Sequence, residues 1–206
     1  MCSKTAVFID GPYLDHVAKD CGSPRLDIGR VAGELARPDD LLRTYYYHAL
    51  PYLGPMPSEE DLQQYDDRQR FFRALTRTDR IQLREGRVEL LGTDRESDRP
   101  IFEHRRLSLP LAIDLVRLAV KQRISRAVLV TGDSGVVPAL RAARDEGVVI
   151  RLCHGTGPQM PALELWEEAD ERTVITADLL RGATTIAPSH GAERPYRGSP
   201  EYAGMA

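Results

Sequence analysis

Two apolar runs in this chain each stop at an acidic turn, Thr5-Ala-Val-Phe-Ile-Asp10-Gly11 and Ala127-Val-Leu-Val-Thr131-Gly132-Asp133-Ser134. A buried strand ending in Asp-Gly or Gly-Asp delivers a carboxylate to the carboxyl edge of a sheet, where open α/β sheets bind ligands. Two carboxylates brought there by separate strands make a divalent-cation site, and with it metal-assisted phosphodiester chemistry, the first hypothesis. A third acid, Asp114, has Leu111, Leu115 and Leu118 around it at helical spacing, which puts it on or near the buried side. A charge there needs compensation, either from a cation shared with Asp10 or from an ion pair with Arg117 on the next turn. Each of the other acids also has a plainer reading: Asp10 as the cap of a helix starting near Tyr13, and Asp133 or Ser134 as the cap of the helix that follows. Arg105-Arg106 suit a phosphate backbone near the carboxylates, or a solvated loop. Tyr45-Tyr46-Tyr47 suit strand packing, or stacking on bases.

These residues need a scaffold, and the chain is long enough to supply one. Its 206 residues, 42% hydrophobic and 29% charged, allow one α/β domain with a sizeable core. A net charge of −3 advertises no broad basic field for nucleic acid, although it permits a local one. The three cysteines, Cys2, Cys21 and Cys153, are widely spaced and form no CxxC, so they read as reduced thiols in a cytoplasmic protein. No apolar run approaches the roughly 18 residues of a membrane span, and the first run is too short for a signal peptide.

The periodicity predicts strands at 5–10, 42–50, 127–131, 148–152 and 173–176, with helices at 13–21, 28–36, 58–76, 109–121, 136–146 and 163–169. Ser58 and Ser108 are the expected N-caps. Ile81–Arg84 and Arg87–Leu91 flank Glu85-Gly86, which reads as a hairpin. The β-α-β run from 127 to 152 demands a parallel crossover. From about residue 181 Gly, Pro, Ser and Ala dominate, so residues 1–180 read as the domain and 181–206 as a flexible tail. Two lookalikes fall away. Gly132-Asp-Ser-Gly135 matches a serine-protease string, but that motif belongs to an all-β barrel and its His and Asp partners are missing. A haloacid-dehalogenase nucleophile would stand two residues before Asp10, where the chain has Phe8.

Taken in order, four segments resemble the NYN domain family (LabA-like, DUF88), a branch of the PIN-like nucleases. They are Ala6-Val-Phe-Ile-Asp10-Gly11; Leu42 to His48 with Arg68 to Leu75; the Leu111-Ala-Ile-Asp114 helix; and Ala127 to Ser134 with Pro138 and Gly147-Val-Val-Ile150. The resemblance implies a three-layer α/β/α sandwich around a mainly parallel sheet, Mg²⁺ or Mn²⁺ held by clustered acids, and cleavage of RNA. Asp10, Asp114 and Asp133 would be the catalytic, metal-binding acids, with Ser134, Arg105, Arg106 and Tyr13 toward the substrate. The chain departs from the family pattern at three positions. Tyr13 stands where the family has Asn, while Ser108 and Gly135 stand where it has Asp. Asp15, Asp98 and Glu103 are candidate replacements.

Two readings follow from this set. One is a metal-dependent endoribonuclease with a weakened, single-metal site. The other is a catalytically degenerate NYN domain that binds RNA or a protein partner, or assembles as a homo-oligomer.

Overall fold

The computed structural model describes residues 4–22, 25–93, 100–105 and 107–183; at 90, 91, 93 and 100–105 the description covers the backbone. Ala6, Val7, Phe8 and Ile9 are apolar at successive positions, so both faces of their strand must be covered, which is the signature of a central parallel strand. That strand is β1 (Lys4–Asp10), and all four side chains are fully buried. β2 (Asp40–His48) lies on one side of it and β6 (Arg126–Val130) on the other, both parallel. Beyond them run β3 (Ile81–Glu85), β7 (Val149–His154) and β8 (Glu171–Val174). Among the described residues the six-stranded sheet has the order β3-β2-β1-β6-β7-β8, parallel throughout.

One face carries α1 (Gly11–Asp20), α2 (Ile28–Ala36), α3 (Glu59–Thr76) and the short α7 (Ala177–Arg181), over Val7, Ile9, Tyr46, Val128 and Val130. The other carries α4 (Ser108–Val120), α5 (Val137–Asp145) and α6 (Leu163–Glu168), over Phe8, Tyr45, Tyr47, Leu129 and Leu152. The alternation along β2 sends Tyr46 one way and Tyr45 and Tyr47 the other, so the tyrosine triplet is core packing on both faces. This is the expected three-layer α/β/α sandwich.

The chain first winds from β1 out to β3, then returns to the centre and winds the other way through β6, β7 and β8. The direction reverses between β1 and β6, so that is the topological switch point. The crevice outside the carboxyl ends of those two strands is the place such sheets reserve for ligands.

Several local expectations change. Glu85-Gly86 is no hairpin turn: β3 pairs in parallel with β2, and Gly86 donates its N–H to the His48 carbonyl. The hairpin is formed instead by β4 (Arg87–Thr93) and β5 (Pro100–Arg105), a separate antiparallel pair. An apolar run on each side of a Glu-Gly suits either pairing, and the parallel edge of β2 takes the first run. Ser58 caps α3 as expected and forms a reciprocal capping box with Asp61. Ser108 does not cap α4; the cap position is Leu107, without a side-chain bond, and the Ser108 hydroxyl is used elsewhere. A 3₁₀ turn over Ser134–Val136 precedes α5. Asp98 and Arg106, and residues 184–206 of the expected tail, lie outside the described residues. Among those described, no helix is long and apolar enough to cross a membrane.

Candidate active site

Asp10 and Asp133 flank the switch point. Asp10 ends β1 and caps α1, its Oδ1 accepting the Tyr13 N–H at 3.2 Å. Its Oδ2 accepts from the hydroxyl of Thr131 at 3.2 Å, and the same hydroxyl accepts the Asp133 N–H at 3.2 Å. Thr131, fully buried at the end of β6, thereby ties the two acidic turns together. Asp133 is exposed, and its carboxylate caps the next turn by accepting from Gly135 N–H at 2.8 Å. Its other oxygen accepts from the hydroxyl of Ser108, so that residue joins the site as a holder of Asp133. Ser134 sits half-buried beside it.

Burial raises the pKa of Asp10, and the charge of Asp133 adds to the rise; the Tyr13 N–H, the Thr131 hydroxyl and His48 offset part of it. Two carboxylates that repel across the crevice, each with lone pairs left over, suit a cation between them.

Asp114 is drawn to a different set of partners. It is buried, as the leucine spacing predicts, but its charge is met by arginines. Arg84, at the end of β3, grips it with two bonds, Nε to Oδ2 at 2.7 Å and Nη2 to Oδ1 at 3.2 Å. Arg117 Nη2 reaches Oδ1 at 2.7 Å, and the Tyr47 hydroxyl donates to Oδ2 at 3.2 Å. Arg84 also lies over the Tyr45 ring, 5.4 Å from its centroid, and the bonds to Asp114 raise the Arg84 pKa. The ion pair with Arg117 that the sequence offered as one alternative is therefore present, with a stronger partner from 30 positions upstream. Among the described residues no three His, Cys, Asp or Glu side chains gather in a way that could hold a metal ion. Asp10 and Asp133 remain the two crevice acids without a described ion pair, and so could hold a cation between them.

Tyr13, at the family's Asn position, lies across Gly132, where an added Cβ would stand 2.7 Å from its ring. Its hydroxyl donates to the Gln159 carbonyl at 2.6 Å and accepts the Gly155 N–H at 3.1 Å. Both hydrogen-bonding capacities are spent on the loop after β7, so Tyr13 straps that loop to α1. Arg105 ends β5; its side chain, like the whole of Arg106, lies outside the described residues, as does the side chain of Glu103.

Asp15, one of the candidate replacements, belongs to a neighbouring cluster. Its Oδ2 accepts from Arg68 Nη2 at 2.9 Å and faces His48 Nε2 at 3.1 Å. Burial works to raise its pKa, but His48 and Arg68 outweigh burial and hold it below the ordinary carboxylate range. His48 is packed so closely on α1 that a Cβ at Gly11 would collide with its ring and stand 2.8 Å from the Tyr46 hydroxyl. Gly11 therefore does more than clear space beside Asp10: it lets β2 and α1 approach. Thr131, His48, Arg68 and Arg84 did not stand out in the sequence. His48 and Arg84 share one signal, a polar residue ending an apolar-rich strand.

The model of the NYN domain matches residues 4–176. The chain belongs to the NYN family. NYN domains fall within the PIN-like nuclease superfamily, which agrees with an acid-lined crevice at the switch point. No curated protein matches this NYN chain in sequence. Among solved structures it is similar to a protein of unknown function from Vibrio parahaemolyticus, at 14% identity and a TM-score of 0.58, over 86% of this chain and 95% of that one. That likeness concerns the fold alone. A Glycyrrhiza uralensis protein complexed with glycyrrhetinic acid 3-O-monoglucuronide aligns at 15% identity and a TM-score of 0.34, over 76% of this chain and 29% of that one, too weak to bear on the NYN site.

Proposed function

We propose that this protein is a metal-dependent ribonuclease whose cation site is reduced to Asp10 and Asp133. The observation that carries the reading is the pairing of these acids through Thr131 at the switch point between β1 and β6. Mg²⁺ or Mn²⁺ held by these two carboxylates, with the remaining positions filled by water and substrate phosphate, would supply a polarised phosphate and a more acidic bound water. The chain's own contribution is orientation. Thr131 fixes Asp10, while Ser108 and the Gly135 N–H fix Asp133. The Ser134 hydroxyl, beside Asp133, would donate to an incoming phosphate. Arg105 and Arg106 are the candidates for holding the strand's backbone. The setting we infer is cytoplasmic, in keeping with Cys21 and buried Cys153 as free thiols, the latter pushed by burial up to about 12.

The test is cleavage of a labelled single-stranded RNA in Mg²⁺ or Mn²⁺ against EDTA, with Asp10→Asn and Asp133→Asn as controls. Metal-dependent cutting lost in both variants supports the reading. No cutting, or cutting indifferent to Asp10→Asn, overturns it.

One observation favours the second reading, a degenerate domain acting as an RNA- or protein-binding module. Arg84 and Arg117 occupy the carboxylate of Asp114, which the family resemblance assigns to metal. Titration calorimetry with Mn²⁺ separates the two: binding lost in Asp133→Asn supports the enzyme, and no measurable heat supports the module.

A further inference from the structure

The cluster around Asp15 borders a cleft of about 380 Å³, between the first turns of α1, the loop after β2 and the start of α3. That volume lies at the small end of ligand pockets, enough for one nucleoside-sized group. Another cleft, of about 500 Å³, lies at the amino edge, and its Arg141 and Arg144 are already paired with Glu168.

The walls of the smaller cleft are of two kinds. Pro12, Pro51 and Tyr52 give it flat, largely apolar surfaces, and Tyr52 is 38% exposed. Asp15, His16 and Gln64 give it polar groups. Asp15 Oδ2 is committed to Arg68 and His48, but its Oδ1, the His16 ring and the Gln64 amide bond no described group. The Asp15 carboxylate is thus fixed through Oδ2, and Oδ1 remains an acceptor on a residue that lines the cleft. Arg68 is neutralised by that same carboxylate, so the cleft is ill suited to phosphate. A partly apolar cleft of this volume, with a fixed acceptor and an amide, fits a planar heterocycle carrying an amino donor.

The cleft lies next to the Asp10 turn. Pro12 follows Asp10-Gly11 directly, and the His48 ring abuts Gly11.

We propose that this cleft is a nucleobase subsite, selective for bases with an exocyclic amino group, which seats a nucleotide next to the phosphate at Asp10 and Asp133. Its place beside a scissile phosphate rests on the ribonuclease reading; its affinity for a base does not. Asp15 Oδ1 accepts from the amino group, Gln64 pairs with the adjoining ring edge, and Tyr52 and the prolines sandwich the ring. Uracil, which turns a carbonyl oxygen toward the carboxylate in place of an amino group, is disfavoured.

The test uses the full chain in EDTA, titrated with cytidine and uridine 5′-monophosphates, which differ at that one edge. Cytidine monophosphate is expected to bind at least about fivefold more tightly. Tyr52→Ala should weaken it about tenfold through lost stacking, and Gln64→Ala, on an exposed helix face, about fivefold. In RNA cleavage Gln64→Ala should raise KM rather than lower kcat. Equal affinity for the two nucleotides, or affinity untouched by both substitutions, overturns the subsite. If RNA is never cut but cytidine monophosphate binds and both variants weaken it, the ribonuclease reading falls and the subsite stands. If RNA is cut in an Asp10-dependent way while neither nucleotide binds, the subsite falls alone.

Discussion

Replacing Asp114 by alanine separates a structural carboxylate from a metal ligand. The side chain is 5% exposed and accepts four hydrogen bonds: two from Arg84, itself 26% exposed, one from Arg117, 47% exposed, and one from the Tyr47 hydroxyl. The Arg117 pair is largely solvated and is worth a few tenths of a kcal/mol. The Arg84 fork and the Tyr47 bond are the larger part. Their loss strands a partly buried guanidinium and a buried phenol, a penalty of about 3 kcal/mol. For a fold of this size that lowers the melting temperature by roughly 10 °C. Asp114→Asn keeps an acceptor for Tyr47 and should lose about half as much. The assay is thermal unfolding in EDTA, repeated with Mn²⁺. If the arginines are the true partners of Asp114, both variants melt early in EDTA, and the Mn²⁺-induced rise in melting temperature survives in each. If Asp114→Ala leaves the EDTA melting temperature unchanged or raises it, and the Mn²⁺ rise disappears, the carboxylate is an uncompensated metal ligand and the reasoning fails.

Asp10→Asn should have the opposite effect on the metal-free protein. Burial raises the folded-state pKa of Asp10, so its contribution to stability is intact below the unfolded carboxylate range and is lost as pH rises through the folded value. In EDTA the variant should therefore match wild type near pH 3 and melt higher at pH 7; melting curves across that range in which it falls below wild type at neutral pH refute this. The Tyr46 hydroxyl is buried beside Arg68 and makes no close hydrogen bond among the described residues, so Tyr46→Phe should change stability by no more than about 1 kcal/mol in denaturant unfolding, and a larger loss would show that Arg68 bonds it fully. Gly135→Asp restores a carboxylate where the family resemblance has one; an added Cβ stands 3.2 Å from Asp133 Oδ1, so the new charge crowds Asp133. At this exposed turn the repulsion costs on the order of 1 kcal/mol in EDTA, while Mn²⁺ affinity by calorimetry should improve about tenfold; unchanged affinity would mean that the cation does not bind between these acids.

What could be read from the sequence was whatever two adjacent segments decide between themselves. β1 and β6 were legible because strands buried on both faces are continuously apolar, and the carboxylates that end them follow directly. The buried side of α4 was legible from its leucines, so Asp114 was rightly placed beneath the surface. Its partner was not, because Arg84 lies on β3 and reaches Asp114 only once β3 pairs with β2 in parallel. The same long-range pairing defeated the expected hairpin: Glu85-Gly86 permits a tight turn, and only competition for the edge of β2 decides against it. Ser108 was misjudged for a related reason, since its hydroxyl serves Asp133 on another element rather than the helix it begins. Thr131 gave no signal at all, because a threonine at a strand end is ordinary until it is seen to bond two acidic turns.

Two of the departures from the family pattern and the arginines on Asp114 act on the charge of one edge. Ser108 and Gly135 stand where the family resemblance has two carboxylates, and Arg84 and Arg117 pair with a third, so among the described crevice acids Asp10 and Asp133 are the two without an ion pair. Such an edge tolerates an empty site better than a cluster of five acids would, since neighbouring carboxylates repel one another. The stabilisation that a cation would otherwise provide comes instead from fixed side chains: Tyr13 strapping the loop after β7, Ser108 holding Asp133, and the arginines holding Asp114. The fold should therefore hold without an ion, with a lower affinity for it than five free carboxylates would give. A cation bound by two carboxylates fills the rest of its shell with water, part of which a substrate phosphate would displace, so RNA should tighten the binding of the ion.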